Sequence, residues 1–114
     1  MPNLTPRIRV EVYIPIRHEL AYRASLNWII EEFTHLRGGC TVNESVGGYY
    51  LSHAYEVIDD RVSVVYCDFA MDWEIQADRA ELLTYCTTLK EFLFDNLWEE
   101  EIMITTHPVS HLRD

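Results

Sequence analysis

From Arg7 to Ile16 the chain alternates: Ile8, Val10, Val12, Ile14 and Ile16 fall on one side, and Arg7, Arg9, Glu11, Tyr13 and Pro15 on the other. A period of two is that of a strand with one face in a core. Pro15 lacks the donor that a ladder needs, so the strand is expected to end near it. Residues 1–6 carry two prolines and no pattern, which predicts a loose arm. Between His18 and Leu36 the period lengthens, with Tyr22, Leu26, Ile29, Ile30, Phe33 and Leu36 at helical spacing and Arg23, Asn27, Glu31 and Glu32 opposite. His35 and Arg37 suit the negative end of that helix, and Gly38 is placed to close it in the left-handed conformation. Ser25 is an alternative, later N-cap for the same helix.

The stretch from Arg37 to Ala70 holds all four glycines, Gly38, Gly39, Gly47 and Gly48, and ends in the β-branched and aromatic run Val62-Ser-Val-Val-Tyr-Cys-Asp-Phe. The glycine pairs predict a bent β element, Asp59-Asp60 a turn, and the two stretches together a hairpin. A second helix is expected from Asp78 to about Asn96. Asp78-x-x-Glu81 is close to a capping box, and Leu82, Cys86, Leu89, Leu93 and Leu97 form its buried stripe, widened by Leu83, Tyr85 and Phe92. Glu100 to Thr106 alternates again, Ile102 and Ile104 against Glu101, Met103 and Thr105, predicting a last strand that Pro108 ends and a polar tail over 108–114.

The order β-α-β-β-α-β defines an α+β, ferredoxin-like (split βαβ) fold: a four-stranded antiparallel sheet with two helices on one face. A strand, a helix ending in Gly-Gly-Cys-Thr, then Val-Gly-Gly-Tyr-Tyr and the strand Asp-Arg-Val-Ser-Val-Val-Tyr together resemble small bacterial ferredoxin-like proteins of uncharacterised function. The resemblance implies the fold and transfers no catalytic residue.

A chain of 114 residues fits one domain spanning 1–114. Its net charge of −10, from 19 acidic and 9 basic residues, disfavours phosphate backbones and anionic lipid, so neither nucleic acid nor membrane is an expected partner. There is no run of 18 apolar residues and no basic-then-apolar leader, which makes the expected location cytoplasmic. Cys40, Cys67 and Cys86 form no C-x-x-C pair and read as small core residues. Only Cys40, on the glycine turn beside Arg37, has a neighbourhood suited to a thiolate.

Candidate chemistry is sparse. His107 and His111 have H-x-x-x-H spacing, but Pro108 interrupts a helix there and no third ligand is adjacent, so a solvated tail is expected and no metal or cofactor. Glu44, His53, Asp59, Asp60 and Asp68 crowd the hairpin as candidate carboxylate and imidazole ligands or an acid/base pair, set against solvated turn residues, which are ordinary in so acidic a chain. Asp68 is the exception: between Cys67 and Phe69, its carboxylate needs a partner or a wet cavity. Tyr49, Tyr50, Tyr55, Tyr66 and Trp73 are the candidate lining of a small-molecule pocket, set against ordinary core packing. Glu99-Glu100-Glu101 reads as a solvated strand edge or an acidic docking patch.

The reading that follows is a non-enzymatic module binding a small molecule or a protein. The alternative is a small enzyme of the dimeric α/β-barrel kind, with His53 as base, Asp68 as its partner or a proton donor, and Tyr66 as orienter. The strand after Asp60 is apolar on both sides, which predicts a homodimer through the open sheet face with Val65, Phe69, Tyr13 and Met103 at the contact.

Overall fold

The computed structural model describes residues 3–113. In chain order the elements are β1 (Asn3–Pro15), α1 (Leu20–Arg37), β2 (Thr41–Leu51), β3 (Val57–Phe69), α2 (Gln76–Asn96) and β4 (Ile104–Arg113). The strands form one sheet in the order β2-β3-β1-β4, with every neighbouring pair antiparallel. This is the α+β, ferredoxin-like arrangement the patterns predict.

The even positions of β1 lie on the helix side. Ile8, Val10, Val12 and Ile14 are buried with Tyr22, Leu26, Ile29 and Phe33 of α1 and Leu82, Leu89 and Leu93 of α2. Register then fixes the neighbour: Ile8 pairs with Phe69, Val10 with Cys67 and Val12 with Val65. Val65 and Phe69 therefore face the helices, and both are 0% exposed, which corrects their expected place on the open face. The strand looks apolar on both sides because the helix side takes Val65, Cys67 and Phe69, while Val62, Val64 and Tyr66 share the open side with Pro15, Tyr13 and Glu11.

Helix α1 ends as its sequence predicts. Gly38 has φ 90° and its N–H donates to Thr34 O, a left-handed closure that a Cβ would strain. The helix starts at Leu20 after Glu19, and Ser25 is a buried residue of its core face rather than a cap. Helix α2 begins two residues early, and Asp78 accepts a hydrogen bond from the Asp72 N–H instead of forming a box with Glu81. Leu83 points away from the core, at 69% exposed.

The ends depart further from expectation. Residues 3–6 are not an arm but the start of β1, paired with 110–113 of β4; residues 1 and 2 lie outside the described residues. The last strand begins only at Ile104 and runs through Pro108, which sits opposite Ile8. An edge strand tolerates proline because the missing donor can face outward. Glu99 to Met103 is consequently a connection, anchored by the buried Ile102.

The hairpin also turns elsewhere. Asp59 and Asp60 are inside β3, and the reversal lies at Ser52–Glu56, where the Ser52 N–H donates to Glu56 O and the Tyr55 N–H to Ser52 O. Tyr55 is left-handed there at φ 60°, an uncommon conformation for a bulky side chain. A register shift between Asn43 and Val46 bends β2. Since β1 pairs with β3 only as far as Pro15 and Val62, the rest of the hairpin projects beyond the sheet as a two-stranded ribbon.

Candidate functional site

The open sheet face divides into two regions. At one end Asp68 of β3 lies opposite Arg9 of β1 and reaches His111 of β4. Arg9 Nε donates to Asp68 Oδ1 at 2.7 Å and its Nη2 to Oδ2 at 3.0 Å, a bidentate pair. His111 Nε2 lies 2.6 Å from Oδ2, and the Arg9 guanidinium stacks 4.4 Å above the Tyr66 ring. The Arg9 hydrogen bond, with help from His111 and against the effect of burial, holds the Asp68 carboxyl below its usual range. Next along the sheet, Glu11 accepts from the Tyr13 hydroxyl at 3.1 Å and lies 3.4 Å from His107 Nδ1. Burial, then Glu11, pushes the Tyr13 hydroxyl up.

At the other end is a cleft of about 510 Å³. Its floor is Tyr13, Pro15 and Val62; the ribbon supplies a wall with Val46, Gly48 and Tyr50, which share one side of β2; the 99–103 connection closes it with Glu100, Glu101 and Met103. This shape follows from the chain: the bend in β2 and the overhang of the ribbon bring the hairpin toward the α2–β4 connection. His53 of the turn lies 3.6 Å from Glu100 and so joins the turn to that connection.

Behind the cleft, Arg17 ties its deepest carboxylates together. The guanidinium donates to both oxygens of Asp60 and to Glu99 at 3.1 and 3.3 Å. The Tyr22 hydroxyl donates to Glu99 Oε2 at 2.6 Å and accepts from the Trp98 N–H at 3.1 Å. Asp60, and after it Glu99, raise the Arg17 pKa, while burial and then Glu99 raise that of Tyr22. The network fixes the positions of Asp60 and Glu99 on the cleft wall, whereas among the described residues Glu100 pairs with His53 alone and Glu101 with the half-buried Lys90, at 2.8 Å.

Of the residues the sequence singles out, Tyr49 and Tyr50 line the cleft. Tyr66 belongs to the Asp68 region, Tyr55 to the exposed turn, and Trp73 to the β3–α2 connection. The proposed catalytic set does not assemble: His53 is on the turn with an 86% exposed side chain, while Asp68, at 14%, is bound to Arg9 and His111. Glu44 meets Arg23 at the surface. His107 and His111 lie on β4, each facing a different carboxylate, and among the described residues no group of three or more His, Cys, Asp or Glu could hold a metal ion.

Cys40 does not meet Arg37, whose guanidinium lies over the rings of Phe69 and Tyr85; its sulfur sits 3.9 Å from Thr34 Oγ1 and Ile30 O. Burial pushes the Cys67 and Cys86 thiols up to about 11, so both stay protonated and unreactive at neutral pH.

Sequence reasoning missed Arg17 and the role of the 99–103 connection. The usable signal was a lone arginine directly after the first strand, in a chain with a large excess of carboxylates.

No family model matches the chain, and no curated protein does. Among solved structures it is similar to CutA1 from Oryza sativa, at 16% identity and TM-score 0.56, over 93% of this chain and 82% of that one. It is also similar to a divalent cation tolerance protein (Cut A1) from Thermus thermophilus, at 15% identity and TM-score 0.54, over 92% and 84% of the two chains. Likeness at that identity is likeness of architecture, and the chain shares with these proteins the ferredoxin-like fold.

Proposed function

We propose that this protein is a non-enzymatic binding module for a small molecule, with the cleft between the ribbon and the 99–103 connection as its seat. The observation that carries the reading is the lining itself: a concavity of about 510 Å³ with tyrosine, valine, proline and methionine walls, and with carboxylates and one imidazole set among them. Size and composition are those of small-molecule sites, where apolar walls supply affinity and sparse polar groups supply orientation. The enzyme alternative loses its geometric basis, because His53, Asp68 and Tyr66 share no cavity. One similar structure is named for divalent cation tolerance; here the aromatic wall, not a metal centre, supports the reading.

The test is amide shift mapping with a library of aromatic fragments. Hits should move Tyr13, Val46, Tyr50, Val62 and Met103 together and leave residues around Asp68 unmoved. A library without hits at the cleft refutes the proposal.

The expected homodimer is a second reading, relocated by one observation. With Val65 and Phe69 turned to the helices, the most exposed apolar surface of the hairpin is on the ribbon, where Tyr49, Leu51, Tyr55 and Val57 are each more than half exposed. An isolated two-stranded ribbon is marginal in water, and a second copy packed on it would cover this surface. Light scattering should then give about twice the chain mass of 13.5 kDa, reduced by Leu51→Glu. A monomer at micromolar concentration contradicts it. No helix among the described residues is long and apolar enough to cross a membrane.

A further inference from the structure

We infer that the molecule taken by this cleft is an organic cation: an ammonium or guanidinium group carried on an aromatic or alkyl body. The inference rests on the reading of the cleft as a small-molecule seat and adds the chemical class.

Charge on the lining decides the sign. Asp60, Glu99, Glu100 and Glu101 border the cleft, with one imidazole, that of His53, and no lysine or arginine among the lining residues. Arg17 is the cation behind the wall, and it is shared between Asp60 and Glu99, so that trio retains one negative charge. Lys90 binds Glu101 from the exposed side. Among the described residues Glu100 has no arginine or lysine partner and touches only the His53 ring. An anion entering the cleft meets carboxylates and, among the described lining residues, no arginine or lysine to bind it, so phosphates and carboxylic acids are not the ligands the inference expects.

The walls decide the body. Tyr13 and Tyr50 present two phenol rings, Tyr49 being turned to the other side of its strand, and a cation over a tyrosine face is attracted by the ring quadrupole as well as by nearby carboxylates. Val46, Val62 and Met103 supply apolar surface that a hydrated inorganic ion cannot use. Aromatic faces and unneutralised carboxylate around one concavity are complementary to an amphiphilic cation.

The test compares 2-phenylethylammonium with two probes of similar shape, 3-phenylpropanoate and 3-phenylpropan-1-ol, by titration calorimetry and amide shift mapping on the full chain. The ammonium should bind at the cleft, the alcohol more weakly, and the carboxylate not at all. Affinity for the ammonium should fall as ionic strength rises from about 0.01 to about 0.15 M, since the screening length shortens from about 30 to about 8 Å. The double variant Glu100→Gln/Glu101→Gln, exposed and outside the Arg17 network, should keep the fold and weaken the ammonium roughly fivefold while leaving the alcohol unchanged. Equal binding of all three probes at the cleft overturns the charge class and leaves the small-molecule seat standing. Binding of none overturns both. Ammonium affinity that improves on dilution of the protein would mean that a second copy occupies the cleft, and that overturns the inference as well.

Discussion

The two ends of the open sheet face are built from similar materials, tyrosines, carboxylates and an arginine, and come out differently. Around Asp68 the charges answer one another within the sheet: both carboxylate oxygens are taken, by Arg9 and His111, and the Arg9 guanidinium lies on Tyr66. At the cleft the answer is partial, because one arginine serves Asp60 and Glu99 while Glu100 is left with a histidine on a turn. The first region has spent its interactions on holding β1, β3 and β4 in register. The second keeps concavity, apolar surface and residual charge for something that is not part of the chain. Perturbed ionisation marks both, so a shifted pKa does not by itself separate a structural pair from a binding site.

Removal of Arg17 should have the largest effect. Arg17→Ala leaves Asp60 and Glu99, with side chains 12% and 11% exposed, facing each other without a cation, and should destabilise the fold by about 3–5 kcal/mol in chemical denaturation. A loss below about 1 kcal/mol would mean the network is not formed in solution.

Asp68→Asn comes next, at about 1–3 kcal/mol, since it weakens a charge-assisted bidentate pair. Its pH dependence has a definite sign. The folded Asp68 pKa is depressed, so its contribution is fully present above the unfolded value of about 3.9 and is lost as pH falls through the folded one. The stability gap between wild type and Asp68→Asn should therefore close as the pH falls into the acid range; a gap that widens in acid contradicts the pairing.

Met103→Ser removes apolar surface from the cleft wall at a half-exposed position, and should change stability by less than about 1 kcal/mol while abolishing fragment shifts at Tyr13 and Val62. Glu100→Gln should be the mildest, within about 0.5 kcal/mol, because its one partner among the described residues is an exposed histidine. If Glu100→Gln proves as destabilising as Asp68→Asn, the two ends of the face are not different in kind.

Much of the architecture was legible because local period and capping agree with the fold: the alternation of β1, the helical stripe of α1 and the left-handed Gly38 all follow from short-range rules. What failed depended on pairing across the sheet. Which side of β3 is inward is set by Ile8 opposite Phe69, a long-range fact that a strand apolar on both sides hides. Residues 3–6 and 108–113 look like loose ends because neither has a pattern of its own; each is a strand only through the other. For the same reason the candidate site was half visible. Tyr49 and Tyr50 announce a wall, but the floor comes from β1 and the rim from 99–103, which meet only after the ribbon bends. Asp68 was recognisable as a buried carboxylate in need of a partner, yet nothing local points to Arg9 or His111, 59 and 43 residues away.

The most direct test of the contrast between the two ends is a crystal structure of the protein soaked with 2-phenylethylammonium. The account predicts ordered density between Tyr13, Tyr50 and Met103 with the ammonium toward Glu100, and the Arg9–Asp68–His111 contacts unchanged. Density seated on Asp68, with Arg9 or His111 displaced and the cleft empty, would contradict it.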